Sequence, residues 1–308
     1  MIEITNLSKK FKDLEAVRSL SFSVNRGEIF GIVGPDGAGK STLLRMIAGI
    51  MKPSDGSIII DGIDVASNMQ RIKKMLAYMP QRFGLYEDLT VEENIFFFGK
   101  LFGLSSKEIE IKIPGLYEFS RLGPFKDRLA GKLSGGMKQK LGLACCLVHS
   151  PSLLLLDEPT NGVDPVSRRE FWKILYNLLT EGVTIVVSTA YLDEAERCNR
   201  LALMHEGKFI RMGTPLEIKR SVTGTILEIT SDNIALTESL LKNSGKYKAI
   251  IREGQFVSVV IEDSKRDVAS IKAMLLENGQ SRIKINEKKL NLENCFMSIV
   301  LSGDYEDS

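Results

Sequence analysis

The sequence is short of cysteine, of histidine and of net charge, and it has no long apolar run. Its four cysteines, Cys145, Cys146, Cys198 and Cys295, have neither metal-ligand nor disulfide spacing. Adjacent Cys145 and Cys146 fall in an apolar helical stretch and read as core thiols, so the pattern describes a reducing setting. There are only two histidines, His149 and His205. Forty-one Lys and Arg against 39 Asp and Glu leave a formal charge of +2, so no nucleic-acid partner is expected. Pairs such as Lys73-Lys74 and Lys288-Lys289 read as solvated faces. No stretch approaches the roughly 20 apolar residues needed to span a bilayer; the densest, Leu153 to Leu156, has the length of a strand. The start, Met1-Ile2-Glu3-Ile4, lacks the basic and apolar segments of a signal peptide. Hydrophobic residues make up 44% of 308 positions, enough for a packed core and for two domains, or one with an appendix.

One stretch organises what is present. Gly34-Pro35-Asp36-Gly37-Ala38-Gly39-Lys40-Ser41 matches G-x-x-x-x-G-K-[ST], and Thr42 follows it. The apolar run Ile29 to Val33 ahead of it predicts a buried strand, and Leu43, Leu44, Ile47 and Ile50 behind it recur at helical spacing. Strand, loop and helix form the context of a phosphate-binding P-loop. Its glycines let successive N–H groups curl around a phosphate, and the helix adds its positive dipole end. Lys40 is expected to reach the β- and γ-phosphates of a nucleotide and Ser41 to offer its hydroxyl to Mg²⁺.

The runs Ile2 to Leu7 and Leu20 to Val24 alternate and predict strands of an antiparallel layer. Phe11 falls between them in Lys10-Phe11-Lys12-Asp13, where an aromatic suits a purine stack or a core plug equally. Ser57 to Ile60 and Met75 to Met79 predict further strands, the latter ending at Pro80-Gln81. Residues 67 to 76 predict a helix between them. From about 83 to 150 the period becomes helical. Thr90-Val91-Glu92-Glu93 reads as a capping box, and residues 105 to 122 as helix broken at Pro114-Gly115. Leu133-Ser134-Gly135-Gly136-Met137 opens another helix, whose bare N–H groups suit an anion. Leu153 to Leu156 predicts a buried strand ending in Asp157-Glu158. There one carboxylate suits Mg²⁺ and the other an attacking water. A turn-rich loop from Pro159 to Pro165 leads to a helix over about 167 to 180. The strand Val183 to Val187 then ends at Ser188-Thr189-Ala190. An acidic helix, Leu192 to Cys198, and a hairpin about Glu206-Gly207 follow.

A P-loop, a glutamine after a strand, Leu-Ser-Gly-Gly-Met, and four leucines before Asp-Glu-Pro-Thr occur in one order. The set resembles the ATP-binding cassette (ABC) ATPases, the motor subunits of ABC transporters, over about Ile2 to Leu216. Tyr191-Leu192-Asp193-Glu194-Ala195-Glu196-Arg197 resembles the bacterial branch serving export permeases, multidrug-type exporters included. The resemblance implies that Phe11 stacks on adenine, with Val17 flanking the base. It implies that Gln81 joins Mg²⁺ to the membrane-facing surface, that Asp157 is the Walker B acid and that Glu158 polarises the water. Ser134, Gly135 and Gly136, followed by Met137, would reach ATP held by a second cassette, and Asp164 would lie at the dimer interface. Two cassettes, alike or different, would close over two ATP molecules and drive separate integral membrane permease subunits from the cytoplasmic face of the membrane. A soluble, non-transport cassette is the alternative.

One position departs from the family. Its switch histidine follows the strand after Walker B, and here Ala190 stands there. The resemblance therefore implies either a site slow in hydrolysis or a chain that pairs with a different, complete cassette. Met137 and Asp36 replace a commoner Gln and Asn. The expected fold class is α/β: a P-loop NTPase core with an antiparallel β layer and a helical subdomain over about 83–150, all within 1–223. Residues 224–308 predict β-α-β-β-α-β, a small ferredoxin-like α+β domain, and resemble the accessory domains of the exporter branch.

Overall fold

The computed structural model describes residues 1–222, 225–247, 249–261, 264–288 and 291–302. The expected domain boundary at 223 and 224, the strand end at Glu262 and Lys289 lie outside them. The described residues form two compact units. The first holds Met1–Glu194 and Cys198–Phe209; the second holds Ala195–Arg197 and the described residues from Ile210 onward.

The first unit begins with β1 (Ile2–Phe11) and β2 (Leu14–Val24), an antiparallel pair. Both run further than the alternation predicts, because the hairpin turns tightly at Lys12-Asp13, with Lys12 in the left-handed region. Phe11 is thus the last residue of β1 and pairs with Leu14, not part of a free connector. Next come β3 (Ile29–Val33), α1 (Lys40–Ile47), β4 (Asp55–Ile60), β5 (Ile63–Asp64), α2 (Met69–Met75) and β6 (Leu76–Met79). Strands β2-β1-β4-β5 form the expected antiparallel sheet.

The helical stretch holds α3 (Val91–Leu101), α4 (Ser106–Ser120) and α5 (Gly135–Leu147). Thr90 caps α3 in a full capping box: its hydroxyl accepts from Glu93 N at 3.1 Å, and Glu93 accepts from Thr90 N at 2.7 Å. The expected break at Pro114 does not occur, and α4 runs through it. Ile109, Ile113, Leu116 and Ser120 lie on one buried face of the helix, and that packing outweighs the one amide donor a proline removes.

After α5 come β7 (Leu153–Asp157), α6 (Pro165–Thr180), β8 (Thr184–Thr189), the short α7 (Leu192–Ala195), β9 (Arg200–His205) and β10 (Lys208–Gly213). The sheet order is β10-β9-β3-β8-β7-β6, and the division between units falls within β10. Strands β3, β7 and β8 are buried along their whole length, which is why they read as unbroken apolar runs. Strands β9, β3, β8, β7 and β6 are parallel neighbours, with Val33 opposite Thr189, Asp157 opposite Ser188 and Met79 opposite Leu156. Parallel strands end at one edge, so the P-loop, Glu158, Ala190 and Gln81 are delivered to the same side. One core takes Leu43, Leu44, Met46 and Ile47 of α1 together with residues of both sheets.

The second unit holds α8 (Pro215–Ser221), β11 (Thr225–Thr230), α9 (Ile234–Asn243), β12 (Ile250–Glu253), β13 (Phe256–Ile261), α10 (Ser264–Glu277), β14 (Lys284–Lys288) and α11 (Leu292–Ser302). From β11 to β14 the order is β-α-β-β-α-β. The sheet, β12-β13-β11-β14, is antiparallel throughout. It has its own core of Leu227, Ile229, Leu241, Val257, Val259, Ile261, Ile271 and Leu275.

Candidate functional site

The loop between β3 and α1 is shaped by two close approaches. A Cβ on Gly34 would stand 2.1 Å from the Met204 carbonyl oxygen, and one on Gly39 2.3 Å from that of Ala16. Gly39 also sits at φ +107°, open only to glycine at low cost. The first-turn N–H groups of α1, including those of Lys40, Ser41 and Thr42, have no intrahelical partner and suit an anion. Ala38 is buried, while Pro35, Asp36 and Gly37 form the turn and are all exposed.

The Lys40 ammonium is almost wholly buried. It donates to the carbonyl oxygens of Gly34 at 2.8 Å and Pro35 at 3.0 Å and pairs with Glu158 Oε1 at 3.0 Å. On the other oxygen, Glu158 Oε2 accepts from Gln81 Nε2 at 3.0 Å and Asn161 Nδ2 at 3.2 Å. Glu158 is held at φ +48°. Its backbone N–H donates to the carbonyl and the hydroxyl of Ser188. A left-handed glutamate is strained, and such strain persists where the surroundings over-determine it.

Beside it, Asp157 is fully buried and accepts three hydroxyl donors. Ser41 and Ser188 donate to Oδ1 at 2.9 and 2.7 Å, and Tyr78 to Oδ2 at 3.2 Å. Burial, and then the Asp157 charge, push the Tyr78 hydroxyl up to about 12, so it stays a neutral donor. Ser41 and Asp157 offer adjacent hard oxygens, the chemistry that suits Mg²⁺. Gln81, expected with them, stands on Glu158 instead.

Beyond Ala190 the polar side chains gather on Glu194, which is buried. It accepts from Thr160 Oγ1 at 2.6 Å, Thr189 Oγ1 at 2.8 Å and Arg168 Nε at 3.0 Å. Arg168 also pairs with Asp193 and lies over the Tyr191 ring, 4.3 Å from its centroid. The Tyr191 hydroxyl donates to Asn161 Oδ1 at 3.3 Å. Ala190 is exposed and has no side-chain donor. His149 is in another place: it stacks on Phe102, and burial lowers its pKa.

The remaining expected residues divide. Phe11 is 42% exposed, and the Lys9 ammonium lies over one face of its ring, 5.2 Å from the centroid. Val17 differs from expectation: it is fully buried in the core and offers a base no surface. Ser134 caps α5 by accepting from Met137 N, and Ser134 and Gly135 are exposed. Gly136 is buried instead, where a Cβ would meet Ser167 at 2.5 Å; helix packing accounts for that glycine. Asp164 caps α6 through Val166 N and Ser167 N, both at 3.0 Å, and the Ser167 bond leads the causes that lower its pKa. Sequence reasoning missed Tyr78, Ser188, Asn161 and Tyr191 as members of the site. The signal that could have found them is position, since each stands at or just beyond the end of a parallel strand.

A profile of the family described as ABC transporter matches residues 17–161. The chain is similar to the probable multidrug ABC transporter ATP-binding protein YbhF of Escherichia coli K12, with 42% identity over 97% of this chain and 52% of that protein. It thus spans about half the length of that relative. It is also similar to the Nod factor export ATP-binding protein I of Burkholderia lata, with 36% identity over 97% of this chain and 96% of that one. Among solved structures, the ATP-binding subunit of an ABC transporter superposes at TM-score 0.65 with 33% identity, covering 72% of this chain and 92% of that one. A dimeric ATP-binding cassette in a post-hydrolysis state with ADP and Pi superposes at 0.64 with 26% identity, covering 70% and 98%.

Proposed function

This chain belongs to the ABC transporter family, and from that premise we propose that it binds and hydrolyses ATP to drive a separate export permease. The carrying observation is the convergence of Lys40, Ser41, Asp157, Glu158 and Gln81 at one sheet edge. Phosphate oxygens entering the loop compete with Glu158 for Lys40. Once Lys40 turns to them, Glu158 Oε1 is free to accept from a water. The water oxygen then attacks the γ-phosphorus, the bond to the β,γ-bridging oxygen breaks, ADP leaves, and the water proton passes to Glu158. Ser41 and Asp157, with Gln81 nearby, would hold Mg²⁺, which when bound neutralises charge on the phosphate oxygens. Phe11 stacks on the base.

The partner set follows from the same reading. Ser134 and Gly135 cover ATP held by a second cassette, and Asp164 lies at that contact. No described helix is long and apolar enough to cross a membrane. On the family reading the permease is a separate chain, and this one works against it at the cytoplasmic face of the membrane. Residues 1–223 act as the nucleotide-binding domain and 224–308 as an accessory domain. Ala190 favours one further reading, that the second cassette is a different chain with its own switch histidine. In a turnover assay, Glu158→Gln should keep ATP affinity and lose roughly 10²-fold or more in kcat. Undiminished hydrolysis would refute Glu158 as the base.

A further inference from the structure

We infer that Asn161, backed by Tyr191, is the positioning pair for the Glu158 carboxylate. This inference rests on the reading of Glu158 as base. Glu158 Oε2 has two amide donors, Gln81 and Asn161. Both donors stand on exposed residues, Gln81 just past β6 and Asn161 in the loop after β7, but the Asn161 amide is itself braced. Its Oδ1 accepts from the Tyr191 hydroxyl. That fixes which end of the amide faces Glu158, because a carbonyl oxygen turned toward a carboxylate would repel it.

Tyr191 is in turn pinned at two points, the second of them anchored further. Its backbone N–H donates to Thr189 Oγ1 at 3.0 Å, its ring lies under the Arg168 guanidinium, and Arg168 is tied to Glu194. Glu194 also accepts from Thr160, the neighbour of Asn161. The loop carrying the base and the loop after β8 are therefore bound through one buried carboxylate and one Tyr–Asn bridge. The side chain at 190 can contribute no hydrogen bond, and the residue after it reaches Glu158 through Asn161.

Asn161→Ala removes one donor from Oε2, so the water that Glu158 accepts from is held in a broader range of positions. The expected result is a fall in kcat of about tenfold with KM and ATP affinity within about twofold of the parent. Tyr191→Phe removes only the hydroxyl and should lower kcat by about threefold. Because Tyr191 acts through Asn161, the double variant should match Asn161→Ala alone. An unchanged kcat in Asn161→Ala, or additive losses in the double variant, would overturn the inference. Glu158→Gln, assayed beside them, separates the two readings. If it turns over normally, the assignment of the base has failed. If it is inactive while Asn161→Ala is normal, only the positioning pair has failed. A crystal structure of Asn161→Ala gives a reading that needs no turnover. With Oε1 still on Lys40, the Glu158 carboxylate should turn so that Oε2 moves from its parent position, and a carboxylate superposing on the parent would count against the bridge.

Discussion

Gly39 carries two demands at once, a φ of +107° and a carbonyl 2.3 Å from where a Cβ would be. No rotamer relieves either, so Gly39→Ala must move the backbone of the loop or of Ala16. A loss of roughly 2–5 kcal/mol is expected in urea unfolding, with ATP binding lost alongside. Tyr78 gives a second test, in pH. Its folded pKa is raised from 10.0 to about 12, chiefly by burial and next by Asp157. A raised acid keeps its full contribution below its unfolded value near 10 and loses it as pH climbs through about 12. The parent should therefore lose stability across that alkaline window, and Tyr78→Phe should lose less; equal slopes would contradict it. Lys40, Ser41, Asp157 and Glu158 were legible in the sequence because local spacing fixes them. Tyr78, Ser188 and Asn161 were not, because their bonds to the two acids depend on strand order or on how a tight loop closes.

At the scale of elements, the two glycines at the start of α5 separate packing from ligand approach. A Cβ on Gly135 would meet nothing within 4 Å, whereas one on Gly136 would meet Ser167 at 2.5 Å at the start of α6. Gly136→Ala should shift α5 against α6 and cost about 1–3 kcal/mol. Gly135→Ala should leave the denaturation midpoint nearly unchanged while weakening ATP-dependent association. If both variants unfold alike, crowding at Ser167 is not what requires glycine at 136. Thr90→Ala removes the hydroxyl half of the α3 capping box and should cost about 1 kcal/mol by the same measurement. Helix starts were readable here because a cap is a local bargain between four residues. The course of α4 was not, since the sequence displays Pro114 and hides the packed face of Ile109, Ile113 and Leu116 that carries the helix through it.

For the whole molecule, the question is what the second unit adds. Its sheet has its own hydrophobic core, and among the described residues no three His, Cys, Asp or Glu side chains are grouped to hold a metal. The P-loop, Asp157, Glu158, Asn161 and Tyr191 all belong to the first unit. Nucleotide affinity should therefore survive removal of 224–308 with little change. Association is a different quantity. Two like cassettes related by a two-fold axis share one self-complementary contact, in which any surface added by one chain is added twice. If the accessory domain extends that contact, its removal should raise the dimer dissociation constant by about tenfold or more, as sedimentation equilibrium with ATP and Glu158→Gln would read it. A truncated chain that associates normally but binds ATP weakly would instead place the second unit's role at the nucleotide site. Mixing the chain with a neighbouring cassette in the same experiment tests the consequence of Ala190. Preferential mixed dimers, with turnover restored, are expected if the second cassette supplies the histidine this one lacks, and a stable, fully active homodimer would argue that the Tyr191–Asn161 bridge suffices.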